Sequence, residues 1–516
     1  MKDATHLSPI GPAATPPARS ALHSAAWNYA GYACQLAINF GLTFFIVRIL
    51  SQPEYGLLVL IISLSANMYL LDLGISSVLV PQYVAASIEG GIVLLNELAS
   101  ATFILLAALG AVGALLMAAL AFVLPGPFKI PPQLVHDGVL TFLCAAITVQ
   151  LALPTMAIEQ VYQSAHRFDR LNQIRVISAV VQLILTAAAL MAGYRVIGLA
   201  AIQSILAALQ MLLLFIALPS SVPGARLRFG RIRWQLLSGL SRQGRWAFLH
   251  NLSASLFDVA AWFLLGALTS MRETALYGLA LKLPRQTWNL VDKGTTVLLP
   301  GRSRSSAKGD LGHLRNIFFM EQTLLIGGVF PIALLGSVFA APILTLWAGS
   351  TYVDAAPVMR WLLLWIFAQC IAYPSDELLY ACGQVRNSSL FSLITSATAL
   401  IAALFLTPRY GAAGLAASIA LAQLLAACPL FLSAGLRISG ASPLRLLEAA
   451  LPGMLFPAAV LLLAIALVFF FAKHLSPALL LLAATACGLL YFALWSRSVV
   501  LPLYRSRVEN RAEVEP

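Results

Sequence analysis

Apolar residues run along this chain in stretches of about twenty, separated by short polar interruptions, and about twenty is the helix length that crosses ~30 Å of hydrocarbon. The stretches fall at 26–48, 56–81, 98–124, 138–165, 171–193, 196–218, 246–268, 274–299, 317–346, 358–382, 389–406, 412–434, 450–471 and 477–495. They predict an all-α polytopic membrane protein with about 14 transmembrane helices. Two of these stretches carry polar stripes. In the first, Asn28, Tyr32, Gln35, Asn39 and Thr43 are spaced three or four apart and gather on one side of a helix. In the eighth, KLPRQTWNLVDKG (282–294) sets Lys282, Arg285, Asn289 and Asp292 on one face, with Lys293 beside them and Pro284 placed to bend the helix.

Composition agrees: 60% of the residues are hydrophobic and 10% charged, against ~25% charged in soluble domains. The first 24 residues, rich in Pro, Ala and Ser, lack the apolar core of a signal peptide and are expected to be a disordered cytoplasmic tail. Six cysteines lie in or at the ends of apolar runs without metal-ligand spacing and read as buried small hydrophobes, so neither a disulfide nor a metal site is expected; no cofactor is expected either.

The net charge of +12 takes its meaning from position. About 22 Lys and Arg fall in loops on the side of the termini and about 7 on the other, which places both termini in the cytoplasm. The densest cluster lies at Arg226, Arg228, Arg231, Arg233, Arg242 and Arg245. This is a topology signal and a contact for anionic lipids, and no nucleic-acid partner is expected. The same count requires 274–299 to be a span, since otherwise Arg302, Arg304, Lys308 and Arg315 would face outward. Lys282 and Arg285 then sit at membrane depth, where ionisable groups default to functional roles, while Arg302 is expected in a cytoplasmic loop that tolerates Arg302→Ala.

The chain also repeats itself. YRVIGLAA from Tyr194 matches YGAAGLAA from Tyr410, EQVY from Glu159 matches ELLY from Glu377, and EYGLL from Glu54 matches LYGLA from Leu276. The offset of about 216 to 222 residues covers six helices, so the copies are parallel repeats. The organisation expected is a tail (1–24), a first six-helix lobe (25–222), a basic cytoplasmic linker (223–245), a second lobe (246–436) related by pseudo-two-fold symmetry, two further helices (437–496) and a cytoplasmic tail (497–516).

Arg48 to Ala85, RILSQPEYGLLVLIISLSANMYLLDLGISSVLVPQYVA, resembles the signature near the start of the Wzx-type polysaccharide flippases, with later echoes in LWAGSTYVDAAPVMRWLL and PRYGAAGLAASIA. These belong to the MOP superfamily with MurJ and the MATE exporters. The resemblance implies two six-helix lobes facing a central cavity, alternating access, and transport of undecaprenyl-pyrophosphate-linked oligosaccharide across the bacterial inner membrane. Its partners would be membrane lipids and the polysaccharide polymerase and export proteins. The extra helix pair favours the lipid-linked-sugar branches over the twelve-span MATE exporters.

Under that reading Lys282 and Arg285 receive the pyrophosphate, with Asp258, Asn289, Asn28, Tyr32, Gln35 and Asn39 lining the cavity. The other reading of the charges is structural pairing with Asp258 or Asp292. Asp72, beside Gly74 in the Leu-Asp-Leu-Gly element, is assigned a helix-bend or packing role, or else one in coupling or gating. Glu159, Asp376, Glu377, Asp292, Lys293 and Arg48 are the remaining coupling or gating candidates, with pairing to neighbours such as Arg167 or interface anchoring as their ordinary roles. Two alternatives stay open. A MATE-like cation-coupled exporter would want an acidic cavity, and a membrane-embedded polymerase or ligase would want a long outer loop bearing catalytic groups.

Overall fold

The computed structural model describes residues 36–72, 74–227, 252, 258–296, 302, 305, 310–471 and 476–502, and among them there is no strand. Two compact units divide the chain, Met1–Leu252 and Ser253–Pro516.

In the first unit, α1 (Leu36–Ile49), α2 (Gln52–Asn67), α3 (Ser76–Glu89), α4 (Gly91–Val123), α5 (Val135–Ser164), α6 (Phe168–Met191) and α7 (Val196–Ser221) follow in order. Helix α5 is the centre, packed on α2, α3, α4 and α7. Leu153, Ile158 and Tyr162 of α5 are buried against Leu79, Tyr83, Leu106 and Leu214. Small residues set the α4–α5 distance: a Cβ on Gly110 would stand 3.1 Å from the Gln150 carbonyl oxygen, and one on Gly113 2.8 Å from Val149. Between apolar helices in lipid such close packing replaces the hydrophobic drive to associate.

The second expected span, 56–81, is not one helix. A 3₁₀ turn over Met68–Asp72 ends α2, and Gly74 (φ +75) starts the break before α3. Asp72 holds it: Oδ1 accepts from the Gly74 amide at 2.7 Å and Oδ2 from the Ser76 hydroxyl. The side chain thereby satisfies groups that a broken helix leaves bare.

The second unit contains α8 (Asp258–Leu268), α9 (Met271–Thr296), α10 (Leu311–Val338), α11 (Ala340–Ala348), α12 (Ala356–Ala381), α13 (Val385–Ala422), α14 (Cys428–Ser439), α15 (Pro443–Phe471) and α16 (Pro477–Trp495). Here α12 is central, packed on α9, α10, α13 and α14. Ten helical stretches among the described residues are long and apolar enough to cross a membrane. The stretch Val385–Ser439 holds two of the expected spans, split at Gly411 (φ 57, ψ −137). α1 and α8 are described only in part, and α9 falls short of that apolar standard through its charges, which accounts for the difference from fourteen.

The duplicated motifs occupy matching places. EQVY and ELLY lie on the two central helices, and Tyr55 and Tyr277 are buried near the starts of α2 and α9. In each copy an acidic residue in the first turn of that helix ties down the turn that carries the GLAA motif. Glu54 pairs with Arg195 at 2.5 Å, and Glu273 accepts from the Ala412 amide at 2.8 Å. The glycine of GLAA is needed for room, because a Cβ on Gly414 would stand 2.2 Å from the Leu406 carbonyl oxygen.

The last two helices dock within the second unit. Tyr491 and Trp495 of α16 bury against α10, the Tyr491 hydroxyl donates to the Gly327 carbonyl at 3.0 Å, and a Cβ on Gly327 would stand 2.3 Å from the Trp495 indole nitrogen.

Candidate functional site

Helix α9 is buried in protein at its start and more open further on. Thr274 to Leu281 are all buried, and from Lys282 to Asn289 buried and half-buried positions alternate with helical spacing. Leu281, Arg285 and Trp288 face a cavity of ≈ 270 Å³, shared with Asp258 of α8, Gln369, Tyr373 and Asp376 of α12, and Gln423 in the π turn after α13.

Arg285 uses one nitrogen on Asp258: its Nη2 lies 3.1 Å from Oδ1 and 3.2 Å from Oδ2. Both side chains remain about two-fifths exposed. The structural-pairing reading of Arg285 with Asp258 is therefore realised, but the pair stands open to the cavity. Guanidinium offers five N–H donors in a planar fork, and here Nε and Nη1 make no hydrogen bond among the described residues. Aromatic walls close the site, with Trp288 edge-on to Tyr373 at 4.8 Å.

The other members of the charged face part company. Lys282, half-buried, does not line this cavity and makes no hydrogen bond or ion pair among the described residues. Asn289 donates to Gln286 at 3.3 Å, and Asp292, exposed, accepts from the Tyr373 hydroxyl at 3.2 Å. Lys293 is exposed beside it. One helical stripe thus serves three surroundings, because neighbouring helices cover α9 unevenly along its length.

Asp376 accepts from the Ser388 hydroxyl, which joins α12 to α13 at the cavity. Glu377, one residue on, turns the other way and meets Arg302 at 2.9 Å. Arg302 is the largest departure from expectation. It is 1% exposed, and its Nη1 reaches both oxygens of Glu321, itself 1% exposed, at 2.9 and 2.8 Å. Sequence position placed it in a solvated loop; two carboxylates from α10 and α12 draw it inside.

In the first unit, Asn28, Tyr32 and Gln35 lie outside the described residues. Asn39 lines a second polar cavity together with Glu159. Thr43 spends its hydroxyl on the Asn39 carbonyl. Glu159 pairs with Arg175 at 3.0 Å, and Arg167, its expected neighbour, pairs with Asp169 instead. Arg48 stacks over Phe44 with 4.1 Å to the ring centroid, a cation–π contact. Several site residues went unread in the sequence: Trp288, Gln369 and Tyr373 in the second unit, and Arg175, Gln182, Gln203 and Gln210 in the first. A signal for the last four existed, since each pair sits seven residues apart within an apolar helix.

The polysaccharide biosynthesis protein family matches residues 45–357. None of the curated proteins compared matches the chain in sequence. Among solved structures, the lipid II flippase MurJ in an inward closed conformation superposes with a TM-score of 0.70 at 13% identity, covering 94% of this chain and 100% of that one. An inward-facing multidrug resistance MATE family transporter of the MOP superfamily gives 0.66 at 14% identity, with 79% and 95% covered. A Vibrio cholerae MATE transporter in a bent form gives 0.54 at 16%, with 84% and 99% covered. With the family match spanning more than half the sequence and the MurJ and MATE fold recurring over most of its length, the chain belongs to the polysaccharide biosynthesis protein family, the Wzx-type group its sequence resembles.

Proposed function

We propose that the protein is a flippase carrying an undecaprenyl-pyrophosphate-linked oligosaccharide across the bacterial inner membrane by alternating access, with both termini cytoplasmic, in service of surface polysaccharide export. The observation that carries this reading is Arg285: a cation on a membrane-length helix, facing a cavity, held through one nitrogen by Asp258. Asp258 keeps the guanidinium neutralised while the site is empty, which lowers the cost of a charge at that depth. A pyrophosphate engages the two uncommitted nitrogens and then competes with Asp258 for the third, so cargo charge is exchanged for protein charge. Lys282, without a hydrogen-bond or ion-pair partner among the described residues, adds a second positive group to the same helix. Proteins of this kind act by moving a lipid-borne group, so no catalytic residue is assigned, and a polysaccharide polymerase and export proteins would take the product on the far side.

The fuller coverage of this chain by the MurJ structure than by the MATE structures supports a lipid-linked cargo over a small cation. The test is reconstitution in proteoliposomes with a fluorescent lipid-linked oligosaccharide and, in parallel, an organic cation. Arg285→Ala is expected to abolish flipping and Lys282→Ala to weaken it, with exposed Arg386→Ala unaffected. Transport of the cation alone, or full flipping by Arg285→Ala at matched expression, would overturn the proposal.

A further inference from the structure

The polar cavity of the first unit plays no part in the reading above. It measures ≈ 390 Å³ and is walled by Arg175, Ser178 and Gln182 of α6, Gln203 and Gln210 of α7, and Glu159 of α5. Helical spacing of three, four and seven puts each set on one stripe. Ile177, Val180 and Ile184, on the face of α6 opposite this stripe, are exposed. The polar stripe therefore turns inward, away from where lipid would lie.

Glu159 is already satisfied, with Oε2 accepting from Arg175 at 3.0 Å and Oε1 from Gln210 at 2.9 Å. The amides of Gln182, Gln203 and Asn39 make no hydrogen bond among the described residues, and the Ser178 hydroxyl oxygen is buried without a partner. Each free amide offers both a donor and an acceptor. That complement fits a neutral ligand rich in hydroxyls and amides. A free cation would find one carboxylate, which two donors already occupy; a hydrocarbon tail would leave the amides bare.

A second chamber of ≈ 200 Å³ adjoins it. Tyr69, Thr148, Ala152 and Gln203 line both, and beyond them the walls are mostly apolar, Leu58, Ile61, Ala145, Val149 and Leu153 among them, while the Ser65 and Thr141 hydroxyls there are taken up by the Ile61 and Asp137 carbonyls. An amide thus stands at the mouth of a greasy recess, beside the half-exposed ring of Tyr69.

We infer that the first unit is a saccharide subsite for an N-acylated sugar. Ring hydroxyls meet Arg175, Gln182 and the Glu159–Gln210 pair, and the acylamino group pairs its C=O and N–H with the Gln203 amide. The acyl methyl enters the apolar chamber, and the C–H face of the sugar lies on Tyr69. The inference rests on the reading that the cargo carries sugar, and it names which sugar chemistry.

The test is saturation-transfer NMR on the purified full chain in detergent, with N,N′-diacetylchitobiose against cellobiose, which has hydroxyls in place of the acylamino groups. The acetylated disaccharide is expected to receive transfer, strongest at its methyl protons, and cellobiose about tenfold less, the loss of roughly one net hydrogen bond. Gln203→Leu, which removes an unsatisfied amide and so does not endanger folding, is expected to lower transfer to the acetylated sugar about tenfold. Ala152→Leu, which narrows the junction, should do the same. Arg285→Ala is expected to lose flipping yet keep disaccharide transfer, so failure of the anion site and failure of this subsite read out separately. Equal transfer to both sugars, ring protons as strong as the methyl, or an unaltered signal in Gln203→Leu would overturn the assignment.

Discussion

Arg302→Ala is expected to destabilise the second unit severely, although the residue sits in a basic stretch between spans. The guanidinium lies between Glu321 and Glu377 with three contacts of 2.8 to 2.9 Å, plus the Thr295 carbonyl at 3.3 Å, and both Arg302 and Glu321 are 1% exposed. Truncation leaves two carboxylates, the buried Glu321 and the partly exposed Glu377, without the cation they share. Removing one partner of a buried pair costs about 3–5 kcal/mol, mostly as the penalty of the charge left behind. For a unit of this size that corresponds to a lowering of the melting temperature by roughly 10 °C. The assay is thermal unfolding of the purified chain in detergent, run as a cycle with Glu321→Gln. Arg302→Ala should melt far below wild type, and adding Glu321→Gln should recover about 1–3 kcal/mol, the coupling of a direct contact. Arg302→Lys should fall between, since a single ammonium cannot reproduce the fork that spans both acids. Melting of Arg302→Ala within about 2 °C of wild type, or strict additivity with Glu321→Gln, would refute the reasoning.

Two further outcomes follow from close contacts. Gly327→Val places side-chain atoms where the Trp495 indole packs, 2.3 Å from the position of the first added carbon, and is expected to undock α15 and α16 from α10; disulfide trapping between cysteines introduced on α10 and α16 should fall while the first unit keeps its melting transition. Asp72→Ala removes both acceptors at the α2–α3 break and is expected to cost about 1 kcal/mol, with Asp72→Asn retaining most of the capping; thermal unfolding of the two variants measures the difference.

Much of the architecture was legible in the residue order. Runs of about twenty apolar residues leave the backbone no choice but helix in hydrocarbon, since only there are its polar groups satisfied internally. The break at Gly411 and the start of α16 at Pro477 fall where the apolar pattern stops. The repeat, too, was readable, because GLAA and the buried tyrosines of α2 and α9 recur with the contacts that require them. Pairing of the α9 cations with Asp258 or Asp292 was one reading the sequence left open, and of these Arg285 pairs with Asp258.

The fate of each polar side chain was not legible. Period and composition report which residues share a helical face, but not which neighbouring helix covers that face at a given depth. Thus Lys282 and Arg285, three residues apart, separate into an amine with no ion pair among the described residues and a cavity-wall cation, and Arg302, read as a solvated loop residue, becomes a deeply buried ion. The same holds for the glutamines of α6 and α7, each unremarkable until two helices bring them to one cavity. Sequence alone determined that the chain is helical, duplicated and at home in lipid, because those properties depend on local periodicity and on the exclusion of water. Only the tertiary structure decided which charges pair and which stay open, because each is governed by partners that the chain supplies from 19 to 75 residues away.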